Sequence, residues 1–153
     1  MKTLGEVFNP YLADKQLADD ISSAELLELN INTNNRSIAM TAGFGGLVKR
    51  DSLFTAEKQI SNSELNLGSV RINPIYDSKL FSADYFPELY KAVKRDIPSI
   101  NGTLNNAFVT YEEGNLQITL NNGGKSLLDA KGFDKALKRI IKDEFSLEIN
   151  IIY

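Results

Sequence analysis

The chain has 153 residues, 17 of them basic and 20 acidic, for a formal net charge of -3, and it contains no His, Cys or Trp. Those absences exclude a Ser-His-Asp triad, an imidazole base, a thiolate nucleophile, a disulfide and a Cys/His zinc site, and the acidic balance argues against the basic face that nucleic-acid binding normally needs. Hydrophobic residues make up 42%, enough for a packed core and too many for a disordered chain.

The chain opens MKTLGEVFNPYLADKQLADD, where Glu6, Asp14 and Asp19 interrupt the apolar residues. This is not the unbroken apolar core of a signal peptide. Apolar runs elsewhere are also short, which predicts no membrane span and a soluble, cytoplasmic protein. Two helical pieces are expected here, with Asn9 as N-cap and Pro10 at the first helical position. Leu17 and Ile21 lie four apart on one face. Leu27, Leu29 and Ile31 then alternate with Glu28 and Asn30 as a strand. Thr33-Asn34-Asn35 is a turn cluster, and Ile38 and Met40 return as the second strand of a hairpin. Gly43-Phe44-Gly45-Gly46 breaks the pattern. A helix is expected from about Lys49 to Gln59 with Leu53, Ala56 and Ile60 at helical spacing, ended by Ser61-Asn62-Ser63. Val70 and Ile72 mark a third strand, which Pro74 terminates or places at a sheet edge.

Asp77-Ser78-Lys79 is the best boundary, which divides the chain into modules 1–77 and 78–153. A helix begins near Ser82 to Asp84, tolerates Pro87 in its first turn, and carries Tyr85, Phe86, Leu89, Tyr90 and Val93 on its apolar face. Lys91, Lys94 and Arg95 fall late, where cations complement the helix dipole. Pro98 and Gly102 mark a loop or a short helix. Ala107, Val109 and Tyr111 form a strand, Glu113-Gly114-Asn115 the turn, and Leu116, Ile118 and Leu120 the returning strand. After Gly123-Gly124 comes one helix with Phe133, Ala136, Leu137, Ile140, Ile141 and Phe145 on one face. Leu147, Ile149 and Ile151 close with a strand.

The order helix, strand, strand, helix, strand therefore occurs twice, with a period near the 77 residues from Tyr76 to Tyr153. Ser22-Ser23-Ala24 matches Asn105-Asn106-Ala107 in position, and Arg71-Ile72-Asn73-Pro74-Ile75-Tyr76 matches Glu148-Ile149-Asn150-Ile151-Ile152-Tyr153. The fold class expected is α+β: two tandem small modules, each with a three-stranded sheet. Ending on an apolar strand, the chain reads as a piece of something longer.

Several motifs invite functional readings. Gly123-Gly124-Lys125-Ser126 lacks the earlier glycine of a P-loop, since Thr119 stands where that glycine belongs. Gly43-Phe44-Gly45-Gly46 has the spacing of the GXXG of KH domains but follows a hairpin, so it reads as a connector. Lys135, Lys138, Arg139 and Lys142 line the polar face of the last helix and are the candidate interaction surface; phosphate contact there would weaken steeply with salt. Asp134, Asp143 and Glu144 flank them, which favours a solvated face. The pairs Asp19-Asp20, Glu112-Glu113 and Asp143-Glu144 do not converge from separate elements as a two-metal or acid-base site requires. Tyr85, Phe86, Tyr90, Phe108 and Tyr111 suit a base-stacking platform in composition but core packing in spacing. No catalytic residue, metal ligand or cofactor site is assigned.

Beyond these motifs, five stretches share an order and spacing: Ser69-Val70-Arg71-Ile72 through Leu80-Phe81-Ser82-Ala83-Asp84-Tyr85-Phe86-Pro87-Glu88-Leu89, then Asn101-Gly102-Thr103-Leu104-Asn105-Asn106-Ala107, then Gly114-Asn115-Leu116-Gln117-Ile118-Thr119-Leu120, then Gly123-Gly124, then Ile141-Lys142-Asp143-Glu144-Phe145-Ser146-Leu147-Glu148-Ile149. Together they resemble the N-terminal region of the PolC-type DNA polymerase III alpha subunit, the replicative polymerase of low-GC Gram-positive bacteria. The resemblance implies two truncated KH-like modules, similar to the polymerase-binding end of the clamp-loader tau subunit. It implies a parent with OB, 3'-5' exonuclease, PHP and polymerase domains after Tyr153, and none of their catalytic carboxylates transfers to this chain. The partners implied are replisome proteins, the clamp loader among them, and the rest of the polymerase chain. Direct DNA contact through a KH-like module is the alternative.

Overall fold

The computed structural model describes residues 2–100, 102–104, 106–121 and 123–153. Asn101 and Asn105, quoted above, lie outside them. The chain divides into two compact units between Tyr76 and Asp77.

In the first unit, α1 (Leu4–Phe8) starts where the Thr3 hydroxyl accepts the Glu6 N–H at 3.2 Å. Asn9–Tyr11 is a turn of 3-10 helix, and α2 (Lys15–Ile21) begins only after Asp14. Asn9 is therefore not the cap that the sequence suggests. The Asp14 carboxylate accepts from both Gln16 N–H (2.9 Å) and Leu17 N–H (3.3 Å), satisfying two orphan donors at once. Asn9 instead accepts from the Ser22 hydroxyl at 2.8 Å.

Strand β1 (Glu25–Asn32) pairs antiparallel with β2 (Ser37–Gly43), and β3 (Ser69–Ile75) pairs parallel with β2. The sheet order is β1-β2-β3. Between β2 and β3 runs α3 (Arg50–Ser61), whose Leu53, Ala56 and Ile60 are fully buried, as their spacing predicts. They face the inward row of Ile38, Met40 and Ala42 on β2 and of Val70, Ile72 and Pro74 on β3. Gly68 leads into β3 so close to the hairpin that a Cβ there would stand 2.5 Å from the Asn35 carbonyl oxygen. β3 is an edge strand, which is where its Pro74 is tolerated. The Ile72 N–H is taken by the buried Glu57 carboxylate of α3 at 2.7 Å.

The alternation in β1 is broken by a bulge. Leu26 pairs with Ala42 and Glu28 with Thr41, leaving Leu27 between them without a partner of its own. Ala42 faces the core and Thr41 faces away, so Leu26 points inward and Glu28 outward. The Leu27 side chain lies 3.5 Å from where a Cβ on Gly43 would be, on the outward side. Leu27 is thus not on the face of Leu29 and Ile31, contrary to the simple period-2 reading.

In the second unit two 3-10 turns (Ser78–Leu80, Ala83–Tyr85) lead into α4 (Phe86–Asp96), with Pro87 in its first turn. Strands β4 (Phe108–Glu112) and β5 (Asn115–Thr119) form an antiparallel hairpin. Its two-residue turn needs positive φ at both positions, and Glu113 (φ 50°) and Gly114 (φ 79°) supply it. The helical segment that follows is two helices: α5 (Lys125–Lys131) and α6 (Phe133–Phe145). Gly132, at φ 69°, ends the first and starts the second, a break that apolar periodicity alone does not reveal. β6 (Asn150–Ile152) lies parallel to β5, and the order is β4-β5-β6. Phe133, Leu137, Ile141 and Phe145 are fully buried, as are Leu116 and Ile118 beneath them. Phe81 stands edge-on to Tyr111 (4.7 Å, 88°) and to Phe145 (5.2 Å, 70°).

The fold class is therefore α+β, with a shared order helix, strand, strand, helix, strand and a mixed three-stranded sheet in each unit. The first unit has two helices, α1 and α2, before its hairpin, and the second adds α5 before α6. No described helix is long and apolar enough to cross a membrane.

Candidate functional site

On α6 the spacing of Lys135, Lys138, Arg139 and Lys142 brings all four to one exposed face, away from Phe133, Leu137, Ile141 and Phe145. The four cations are not equally available. Lys142 Nζ sits 2.9 Å from Glu148 Oε1, and Arg139 Nε sits 4.0 Å from Asp143 Oδ2. The hydrogen bond and charge of Glu148 raise the Lys142 pKa, and the same bond and charge lower that of Glu148. Lys135 and Lys138 have no ion pair among the described residues. Of the four, Lys142 alone is held in a close ion pair among the described residues; the Arg139 contact is long and both its side chains are exposed.

The other motifs resolve into packing. Phe44, inside Gly43-Phe44-Gly45-Gly46, is buried beside Tyr76 (ring centroids 6.0 Å) and donates its N–H to the Ile75 carbonyl at 2.9 Å. The motif joins a strand to α3 and does not lie between two helices. Gly124 is crowded by Thr103, whose Cγ2 would stand 2.6 Å from a Cβ there, and it leads into the seven-residue α5. Tyr85 and Phe86 are buried; Tyr90 is half-buried, stacks on Phe86 (6.4 Å, 22°) and donates its hydroxyl to the Ile100 carbonyl at 3.0 Å. Phe108 is the exception: it lies opposite Thr119 on the outward face and is 66% exposed. Of the acidic pairs, Asp143 is exposed while Glu144 turns inward. Among the described residues no three acidic side chains could hold a metal ion.

Two features were not anticipated. Leu29 and Ile31 point to the inward face of the sheet, opposite buried Met40 and Ile38, yet remain 39% and 63% exposed. The Leu26-Leu27 pair, which interrupts the alternation, was the sequence signal that this strand is irregular. An open groove of about 600 Å³ also lies along α3, lined by Pro10, Tyr11, Thr55, Lys58 and Gln59 among others. Its wall is tied together by the Ala13 N–H donating to Gln59 Oε1 at 3.0 Å.

Compared with protein-family models, with curated proteins and with solved structures, the chain matches none.

Proposed function

We propose that the chain is a non-catalytic N-terminal region of a PolC-type replicative DNA polymerase III alpha subunit, acting in the cytoplasm as a protein-binding assembly region of the replisome. The observation that supports this most is the division of the chain into two small α+β units, since two small modules are what the sequence resemblance implies. The exposed surfaces are also of the kind that bind proteins: an apolar strand in one unit and a charged helix face in the other. Its test is capture from an extract of a low-GC Gram-positive bacterium, with the retained proteins identified by mass spectrometry. Enrichment of clamp-loader or other replication proteins is expected; their absence contradicts the proposal.

A second reading, a KH-like module for single-stranded nucleic acid, is favoured only by the four cations on one face of α6. Its test is binding of single-stranded DNA at low and moderate salt, where phosphate attraction weakens steeply. No binding at low salt removes it.

A further inference from the structure

β1 is an edge strand eight residues long. Among the described residues only its beginning is engaged on the outer side: Thr3 bridges Glu25 antiparallel, and the Leu26 N–H donates to the Lys2 carbonyl at 3.0 Å, while from Leu27 onward no strand pairs there. The chain itself thus uses the start of this edge as a template for strand pairing. Open edges are ordinarily blunted by Lys, Pro or shortness. β3 has Pro74 and the Glu57 carboxylate, β6 has only three residues, and β4, also without Lys, Arg or Pro, has five. β1 has no Lys, no Arg and no Pro.

Two complementarities define what fits there. The first is apolar. Next to the hairpin, Ile31 opposite Ile38 corresponds to Tyr111 opposite Leu116 in the second unit. Tyr111 lies against the Phe81 ring; Ile31 is the more exposed residue of an uncovered pair with Leu29. The second is charge. Glu25 and Glu28 are exposed and have no ion pair among the described residues, and Glu28 only accepts from the Asn30 amide at 3.1 Å. A second copy of β1 would bring more carboxylates and no cation to this edge.

We propose that residues 28–32 of β1 add a strand from a protein partner whose extended segment alternates apolar and basic residues. The apolar side chains lie beside Leu29 and Ile31, the basic ones beside Glu28, and the backbone groups complete the sheet. The inference rests on the reading of the chain as a protein-binding region and names one contact for it.

The probe is a fluorescent nine-residue peptide of alternating Lys and Val, followed by anisotropy with the whole chain. Two versions N-methylated on alternate residues keep every charge and side chain but block opposite sets of N–H donors. Saturable binding is expected, kept by one methylated version and lost by the other, because only one set of donors faces β1. A Leu29→Asp/Ile31→Asp chain, with its circular dichroism unchanged, weakens binding at least ~10-fold, which equals about 1.4 kcal/mol. Glu28→Lys shifts the preference to a Glu/Val peptide. Equal binding of both methylated versions, binding indifferent to the β1 substitutions, no binding at all, or a β1-dependent dimer in sedimentation each overturns the proposal. Such a failure leaves the assembly reading to be judged by the proteins the chain retains from extract.

Discussion

In the second unit the sheet row nearest the hairpin, Tyr111 against Leu116, lies beside the Phe81 ring, which also meets Phe145. In the first unit the same row, Ile31 against Ile38, leaves Ile31 63% exposed. One topology therefore carries two different surfaces. The second unit covers this row with an aromatic ring and presents a charged helix. The first seals the β3 edge with Glu57 and leaves β1 open. Difference in cover, not in strand order, is what distinguishes the roles assigned to the two.

The largest effect that can break this comparison is in the aromatic cluster. Phe145→Ala empties a fully buried site and is expected to cost about 3–5 kcal/mol. Hydrogen exchange should show faster exchange in β4, β5 and α6 while β1–β3 is unchanged; faster exchange throughout would show that the two units do not unfold separately. Next, Glu57→Ala leaves the buried Ile72 N–H without its acceptor, at a cost of about 1–3 kcal/mol. Glu57→Gln keeps an acceptor and is expected to lose less, and the exchange rate of the Ile72 amide reads the difference directly.

The paired edge residues sharpen the contrast. Tyr111→Ser loses a ring contact and buried area and is expected to cost about 2 kcal/mol, whereas Ile31→Ser, at an uncovered site, stays within about 0.5 kcal/mol. Equal costs in denaturant unfolding would mean that Ile31 is covered after all.

The smallest effect concerns Tyr153. Its hydroxyl is buried with no hydrogen-bond partner among the described residues, and burial first, then the charges of Asp134 and Asp129, push its pKa up. A raised folded value means that the stabilisation is complete below the unfolded tyrosine value of about 10 and is lost as pH rises through the folded value. Tyr153→Phe removes an unsatisfied polar group, so stability at neutral pH is expected to be unchanged or higher by up to about 1 kcal/mol. It should also remove that part of the alkaline loss, measured by unfolding across pH.

Much of this architecture was legible in the residues. The 3.6-residue period of Phe133, Leu137, Ile141 and Phe145 places the core face of α6 and, opposite it, the four cations. The alternation about Glu113-Gly114 places the second hairpin. What was not legible depends on local geometry or on distant residues. The Asp14 cap competes with an equally plausible Asn9-Pro10, and only the positions of the Gln16 and Leu17 donors decide between them. Gly132 divides a helix through a positive φ that apolar spacing ignores. For β1, alternation says which side chains share a face but not whether another element covers that face, and the bulge at Leu27 moves one leucine to the other side. The candidate surface on α6 could therefore be read from sequence, and the one on β1 could not.

The assembly role is tested most directly by measuring binding of the purified chain to purified replisome proteins, the clamp-loader complex among them, at moderate salt, with single-stranded DNA as competitor. The account predicts saturable binding that the DNA does not displace. Absence of binding, or displacement by the DNA, would contradict it.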